Sequence, residues 1–408
     1  MTGRSDADAD APRPASRLLV VPVLGVTQIF AWGTSYYLPA VLALPISRET
    51  GWSLGWVVSG LSLGLVVAGL VSPRVGATIA ARGGRPVLAT SACLLAAGLL
   101  LLALATTFPL FLLAWTIIGL GMGTGLYDPA FATLGRLYGQ TGRSAITTLT
   151  LFGGFASTLC WPLSALLEAR FGWRTTCIIY ASLQMGLALP LYLFALPREP
   201  RHQPDPAAGA DRTTIETSGP PPHWHRYALL AVTISLASVL STAMSVHLLT
   251  ILTAKGLDLA TAVGLGALVG PAQVGARTIE MIIARYHHPI WTKLAATSLV
   301  TTGLATLWFG APLVMPALLL YGAGIGLESI ARGTLPLAMF GPRHYPAVMG
   351  RIAMPSLMAQ AAAPAIGAVL LQWAGPDGAL AGFCGLSACN VLLVACLFAQ
   401  IKPAAADE

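Results

Sequence analysis

Apolar runs long enough to cross a bilayer follow one another through most of this sequence. A membrane-spanning helix needs about 20 apolar residues. Six such runs precede a polar stretch at 197–226, roughly 17–45, 54–80, 86–106, 108–134, 145–168 and 174–196. Six more follow it, roughly 227–253, 259–284, 289–310, 312–337, 347–372 and 377–400. The backbone polar groups of such runs must be satisfied internally, so helices are the expected form. Charged residues make up only 10% of the chain, against about 25% in soluble domains. That is too little charge to solvate a surface of this size, so the lipid bilayer is the expected environment.

The stretch 197–226 carries seven prolines in thirty residues and no apolar run. It cannot bury enough surface to offset the entropy of ordering it, so it reads as a solvated linker. The expected organisation is a disordered tail at 1–16, a six-helix bundle at 17–196, the linker at 197–226, a second bundle at 227–400 and a tail at 401–408. Lys and Arg set the orientation. With the N-terminus in the cytoplasm, 17 of them fall in cytoplasmic segments, Lys293 included, and 4 on the outside, with Arg277 and Arg332 inside helices. An N-in, C-in topology in the inner (plasma) membrane, with a cytoplasmic linker, follows as the expectation. The net charge of +7 sits in short loops and forms no continuous patch, so no nucleic-acid partner is expected.

The two blocks echo each other. Gly51-Trp52-Ser53 opens the second run, and Ala81-Arg82-Gly83-Gly84-Arg85-Pro86 follows it. Gly256-Leu257-Asp258 opens the eighth, and Ala284-Arg285-Tyr286-His287-His288-Pro289 follows at similar spacing. The fourth run carries Gly119, Gly121, Gly123 and Gly125, and the tenth carries Gly322, Gly324 and Gly326. Each set contains a G-x-x-x-G step, which lets helices approach closely.

On these features the chain resembles the major facilitator superfamily over nearly all of its length. The resemblance implies an all-α membrane fold of 12 transmembrane helices in two pseudo-symmetric six-helix halves. It implies secondary active transport by alternating access, with the solute site between the halves. The superfamily's loop signature, Gly-x-x-x-Asp-Arg-x-Gly-Arg-Arg, corresponds to Gly76 through Arg85 here. Gly76, Gly83 and Arg85 are kept, Arg82 adds a cation, and Ala80 replaces the aspartate. In the family this loop is held to latch the halves, so a weakened latch is expected. Trp115 stands where the family's fourth helix usually has an arginine. Cys160-Trp161-Pro162 replaces the Gly-Pro motif of drug–proton antiporters, and Pro162 is expected to kink its helix.

Ionisable residues inside spans cost roughly 2.5–3.5 kcal/mol each on insertion scales, so each is a functional candidate. Arg277 and Glu280 stand at i, i+3, and Glu328 and Arg332 at i, i+4, spacings that suit intrahelical pairs. Either pair is structural, or it is a switchable site for an anion or a proton. Glu280, Glu328 and Asp128 are the candidate proton-coupling groups. Asp128 precedes Pro129 near a membrane edge, which also suits a helix-end or latch residue. His247 is a lone histidine, suited to hydrogen bonding in the bundle or to proton transfer.

In the family fold the first, fourth, seventh and tenth helices line the cavity. Trp32, Tyr36 and Tyr37 on the first then become candidate wall residues, although the two tyrosines also suit an outer aromatic belt. Ser235, Ser238, Thr242 and Ser245 form one polar stripe on the seventh, with Ser238, Thr242 and His247 as wall candidates. Gln273 extends the polar face of Arg277. An arginine on the eighth helix is also a weak resemblance to the monocarboxylate and oxalate–formate branches, where it is held to bind the substrate carboxylate. With Arg332, this favours a small organic anion over a cationic drug, moved with a proton or against a counter-substrate. Drug or metabolite efflux by proton antiport is the alternative, and a non-transporting receptor a further one.

No H-E-x-x-H or Walker pattern occurs, and the two G-x-S-x-G matches, Gly51 to Gly55 and Gly60 to Gly64, lie in an apolar helical run and not on a strand-to-helix turn, so neither an enzyme nor an ATP-driven pump is expected. The six cysteines form no C-x-x-C pair, and no metal or cofactor is expected. A monomer is the expected state.

Overall fold

The computed structural model describes residues 16–198 and 224–401. The tails at 1–15 and 402–408, and linker residues 199–223, lie outside the described residues. What is described is helical, with no strand. The first span is split into α1 (Arg17–Gly33) and α2 (Pro39–Thr50), joined by a turn. Next come α3 (Leu54–Arg82) and α4 (Gly84–Ala103). The fourth span is also split, into α5 (Phe108–Gly125) and α6 (Tyr127–Tyr138). Leu126 between them has extended backbone, ψ −160°. Then follow α7 (Gly142–Gly154), α8 (Ala156–Leu183), a π-helical turn and α9 (Leu189–Ala195). The interruption in this region falls at Phe155, while Pro162, the expected kink, lies inside α8.

After the linker come α10 (Trp224–Ala254), α11 (Leu259–Gly266), α12 (Val269–Ile283), α13 (Pro289–Trp308) and α14 (Val314–Ile401). The start of α10 takes in Trp224, His225 and Arg226, which the sequence had placed in the linker. Two of the long helices turn back on themselves at glycines with positive φ: Gly172 in α8, and Gly341 and Gly375 in α14. Only glycine adopts that conformation without a Cβ penalty. Pro342 and Pro376 follow two of them and suit the first turn of the next helical segment. Among the described residues, six helical stretches are long and apolar enough to cross a membrane.

The core divides by block. Two buried apolar clusters come almost wholly from before the linker, one around Leu42, Leu99, Phe111 and Ile118 and one around Leu24, Phe131 and Leu149. Two come from after it, around Leu240, Leu304 and Phe383 and around Leu230, Ile352 and Leu397. The outward faces carry exposed Trp56, Phe194, Trp373 and Leu392.

The glycine rows act as the G-x-x-x-G steps predict. On α5, Gly119 lies against α3, where a Cβ would stand 2.5 Å from the Gly64 carbonyl, and Gly121 lies against Leu95 of α4. On α14, Gly322 and Gly326 lie against α12, and Gly324 against α13. Each row therefore packs its helix onto two neighbours at once. The two blocks also meet backbone to backbone. Gly76 of α3 sits under Pro346 and Gly350 of α14, where a Cβ at Gly76 would stand 2.4 Å from the Pro346 carbonyl. The ring of Tyr345 packs on Gly135 of α6. Both contacts lie at the end of the bundle that carries residues 82–85.

Candidate functional site

Between the two blocks lies a cavity of about 150 Å³. Trp32 of α1, Tyr127 and Asp128 at the break between α5 and α6, Ser238 and Ser241 of α10, and Glu328, Ser329, Arg332 and Gln360 of α14 line it, together with α3 residues including Ser72. The break at Leu126 matters here. It starts a new helix at Tyr127, so Asp128 stands in the first turn of α6. A carboxylate is favoured at that helix end.

The intrahelical pairs expected from spacing do not form. Arg332 turns away from Glu328 and forks onto Asp128 in the other block. Its Nε donates to Oδ1 and its Nη2 to Oδ2, each at 2.9 Å. Its Nη1 donates to Ser356 at 2.8 Å and to Ser238 at 3.2 Å. A bidentate fork at a low-dielectric site outweighs an i, i+4 contact, which is worth only a few tenths of a kcal/mol. Glu328 instead pairs with the ammonium of Lys293. Lys293 was counted among the cytoplasmic loop residues, but its side chain is 1% exposed. It reaches inward from the first turns of α13 and also donates to the Thr233 carbonyl at 3.4 Å. Three charges thus line the cavity, Asp128, Glu328 and Arg332, and the buried Lys293 behind Glu328 brings the sum to zero.

Glu280 and Arg277 are likewise separated. Glu280 is 3% exposed and accepts from the Thr292 hydroxyl at 2.6 Å. Across the blocks it faces Arg143 of α7 at 3.6 Å, and His287 lies 3.5 Å from its other oxygen. Arg143 also donates to the His287 carbonyl at 2.5 Å. Arg277 is buried but does not line the cavity. It donates to the Gly326 carbonyl at 3.3 Å, to Gln273 at 3.3 Å and, across the blocks, to the Thr150 carbonyl at 2.8 Å. Gly154 makes room for it, since a Cβ there would stand 2.4 Å from the guanidinium. Gln273 is therefore a partner of Arg277 and not a wall residue.

The remaining candidates scatter around the cavity. Tyr36 turns inward, accepting from Gln360 at 3.2 Å and lying 3.5 Å from the Thr242 hydroxyl. Tyr37 packs edge-on against Trp161. Trp32 lies over Tyr127, with ring centroids 4.9 Å apart. Nε2 of His247 stands 2.9 Å from the Pro364 carbonyl, off the cavity wall. The polar stripe on α10 divides, with Ser238 on the cavity and Ser245 exposed.

In the loop region Gly83 ends α3 with φ 81°, Arg82 is exposed and Arg85 half-buried. Arg136 of α6 donates to the Ile79 carbonyl at 3.0 Å and also to that of Ala80. It thus caps the end of α3 from within the same block. Sequence reasoning missed Lys293, Arg143, Tyr127, Ser356 and Gln360. Ser356 and Gln360 had a readable signal, polar residues at i, i+4 in an apolar run.

The Major Facilitator Superfamily model matches residues 24–336. The human organic anion transporter MFSD10 (TETRAN) superposes with a TM-score of 0.73 at 18% identity, over 94% of this chain and 100% of that one. FucP in its outward conformation gives 0.71 at 12% identity, over 93% and 99%. The proton:xylose symporter XylE gives 0.68 at 13%, over 92% and 94%. No curated protein sequence matches the chain. With the family model spanning most of the sequence, and an all-helical fold shared with solved transporters of that family, the chain belongs to the Major Facilitator Superfamily.

Proposed function

We propose that the chain is a secondary active transporter of a small organic anion, working by alternating access between its two blocks. The helix breaks at Gly172, Gly341 and Gly375, with the split first, fourth and eighth spans, fit twelve crossings arranged as bundles at 17–196 and 227–400. The basic residues near 82–85, 136–143 and 285 lie toward the end closed by Gly76 and Gly350, which supports a cytoplasmic position for that end and for both termini. We place the protein in the inner (plasma) membrane as a monomer coupled to a proton or a counter-substrate.

Arg332 carries the anion reading. It is the guanidinium on the cavity wall, set among the hydroxyls of Ser238 and Ser329, the Gln360 amide and the rings of Trp32 and Tyr127. A substrate carboxylate that takes over the fork from Asp128 finds a planar bidentate donor in a low-dielectric site. Arg277, in contrast, is spent on backbone carbonyls, so we assign it to the packing of the closed end. The structural neighbours carry an organic anion or sugars, so the fold does not choose the cargo.

Uptake of radiolabelled benzoate and lactate into proteoliposomes tests the reading. Arg332→Lys keeps the charge and loses the fork. It should raise the KM for a carboxylate about tenfold or more and leave any cationic cargo unaffected. Parent-like carboxylate transport in Arg332→Lys would remove the anion assignment. Proton-driven efflux of a cation is the second reading, favoured by the two carboxylates, Asp128 and Glu328, in the same wall. Ethidium efflux in the absence of carboxylate uptake would select it.

A further inference from the structure

The fourth span breaks where its backbone runs out of donors. In a continuous helix the Gly125 carbonyl would accept from the N–H four residues on. That residue is Pro129, which has no N–H. On either side the ladder holds, with Leu126 donating to the Met122 carbonyl at 3.1 Å and Ala130 to that of Leu126 at 3.2 Å. The Gly125 carbonyl instead accepts from a side chain 97 residues away, Nε2 of Gln28 on α1, at 2.6 Å. Gln28 is fully buried, and among the described residues its Oε1 has no partner. The amide therefore sits there as a donor. Gly125 itself is pressed onto Ser91 of α4 with no room for a Cβ.

We infer that Gln28 is a positioning residue of the cavity: its amide stands in for the N–H that Pro129 lacks, keeps the fourth span broken at Leu126 and so sets Tyr127 and Asp128 on the wall. This rests on the transport reading above and adds a residue to its site. Gln28 does not line the cavity and acts through Gly125. Two residues beyond Gly125 stand the ring that lies over Trp32 and, one further, the carboxylate that faces Arg332. At Leu126 ψ is −160°, far from the helical value of about −42°. Healing the break would rotate Tyr127 and Asp128 about the helix axis and off their present partners.

Glutamine suits the task. It is long enough to reach from α1 to the backbone of α5, it donates, and it brings no charge into the apolar core. A lysine would reach as far but would bury an unpaired ammonium. Gln28 and Gly125 also belong to the same block, so a rocking of the two blocks leaves their bond in place. The wall at Tyr127 and Asp128 thus keeps its shape while its partners in the second block come and go.

Hydrogen–deuterium exchange and thermal unfolding of the purified full-length protein test this without a cargo. Gln28→Leu keeps the bulk and removes the donor. The segment 120–131 should then exchange about tenfold faster than in the parent, as expected for a buried carbonyl left without its donor, while α13 exchanges as before. In a Pro129→Ala background the same replacement should change that exchange little, because residue 129 then has an N–H for the Gly125 carbonyl. The place of Asp128 has its own readout. Asp128→Asn should lower the unfolding temperature of the parent and leave that of the Gln28→Leu, Pro129→Ala double variant unchanged. There the helix runs through Leu126 and the carboxylate no longer meets Arg332. Gln28→Met takes the place of Gln28→Leu if the latter does not fold. Unchanged exchange at 120–131 in Gln28→Leu overturns the inference, and so does an equal effect in the Pro129→Ala background. If Asp128→Asn lowers the unfolding temperature of the double variant as much as that of the parent, Gln28 is a brace without a positioning role. In benzoate uptake, Gln28→Leu should lower the KM about fivefold, as should Asp128→Asn, because the carboxylate that competes for Arg332 is gone from its place. A parent-like KM with only the maximal rate reduced also overturns the positioning role. Absence of benzoate uptake in the parent counts against the transport reading alone, since the first two measurements need no cargo.

Discussion

At the scale of residues, burial and partner choice override sequence spacing. Glu328 and Arg332 stand one turn apart, yet each finds a better partner on another helix. The reason is geometric. An exposed i, i+4 pair gains little, while a guanidinium with a carboxylate straight in front of it gains two charge-assisted bonds. Asp258 shows a local choice that the sequence could make alone. It caps α11, accepting from the Thr261 backbone N–H at 3.0 Å and from the Thr261 hydroxyl at 2.6 Å. The Thr261 hydroxyl, then its backbone N–H, hold the Asp258 carboxyl below its ordinary value of 3.8. A depressed carboxyl pKa stabilises the fold above that ordinary value, and the contribution is lost as pH falls through the folded pKa. Asp258→Ala should therefore unfold at lower temperature than the parent near neutral pH. The gap in unfolding midpoint should shrink as pH drops below 3.8. A gap that stays constant with pH would mean the cap contributes through packing alone.

At the scale of elements, the informative positions are the breaks. Leu126 interrupts the fourth span and thereby sets Asp128 at a helix start beside the cavity. Phe155 interrupts the fifth next to Gly154, where Arg277 comes in. The loop at 82–85 follows the same logic. With Ala80 in place of an aspartate, the end of α3 is held by Arg136, which belongs to the same block. Ala80→Asp would put a carboxylate beside Arg136 and tie α3 to α6. The gain should be small, about 0–1 kcal/mol, as for other partly exposed pairs. Thermal unfolding should move up slightly, and exchange at 142–154 and 269–283 should stay as in the parent. A large drop in that exchange would show that the aspartate reaches the other block and restores a latch.

At the scale of the whole molecule, the closed end is a set of close backbone approaches joined by three arginines. Arg143, Arg277 and Arg332 each donate across the blocks. The Gly76–Gly350 crossing brings α3 and α14 together without side chains between them, and a Cβ at Gly350 would stand 2.4 Å from the Ser72 carbonyl. No flexible side chain is there to give way. Gly350→Val should therefore prevent this end from closing fully. Exchange around Gly76 and in 142–154 should rise together, and the unfolding temperature should fall. If exchange rises at Gly76 alone, the blocks do not move as bodies.

Much of this protein was legible in its sequence because the bilayer leaves few options. Long apolar runs must be helices, a polar proline-rich insert must lie outside the membrane, and repeated glycines must mark close packing. Hence the all-helical family fold and the glycine rows could be read directly, while Trp32, Ser238 and Arg332 could only be named as candidates for a cavity wall and Asp128 and Glu328 as candidate coupling groups. What the sequence left open was which charge faces which. Lys293 looks like a loop cation until α13 is docked against α14 and its long stem carries the ammonium inward. Arg277 looks like a cavity residue until α7 is seen to cover it. Pairing of buried charges depends on distances between helices that are remote in sequence, and those distances are set only when the two blocks pack together.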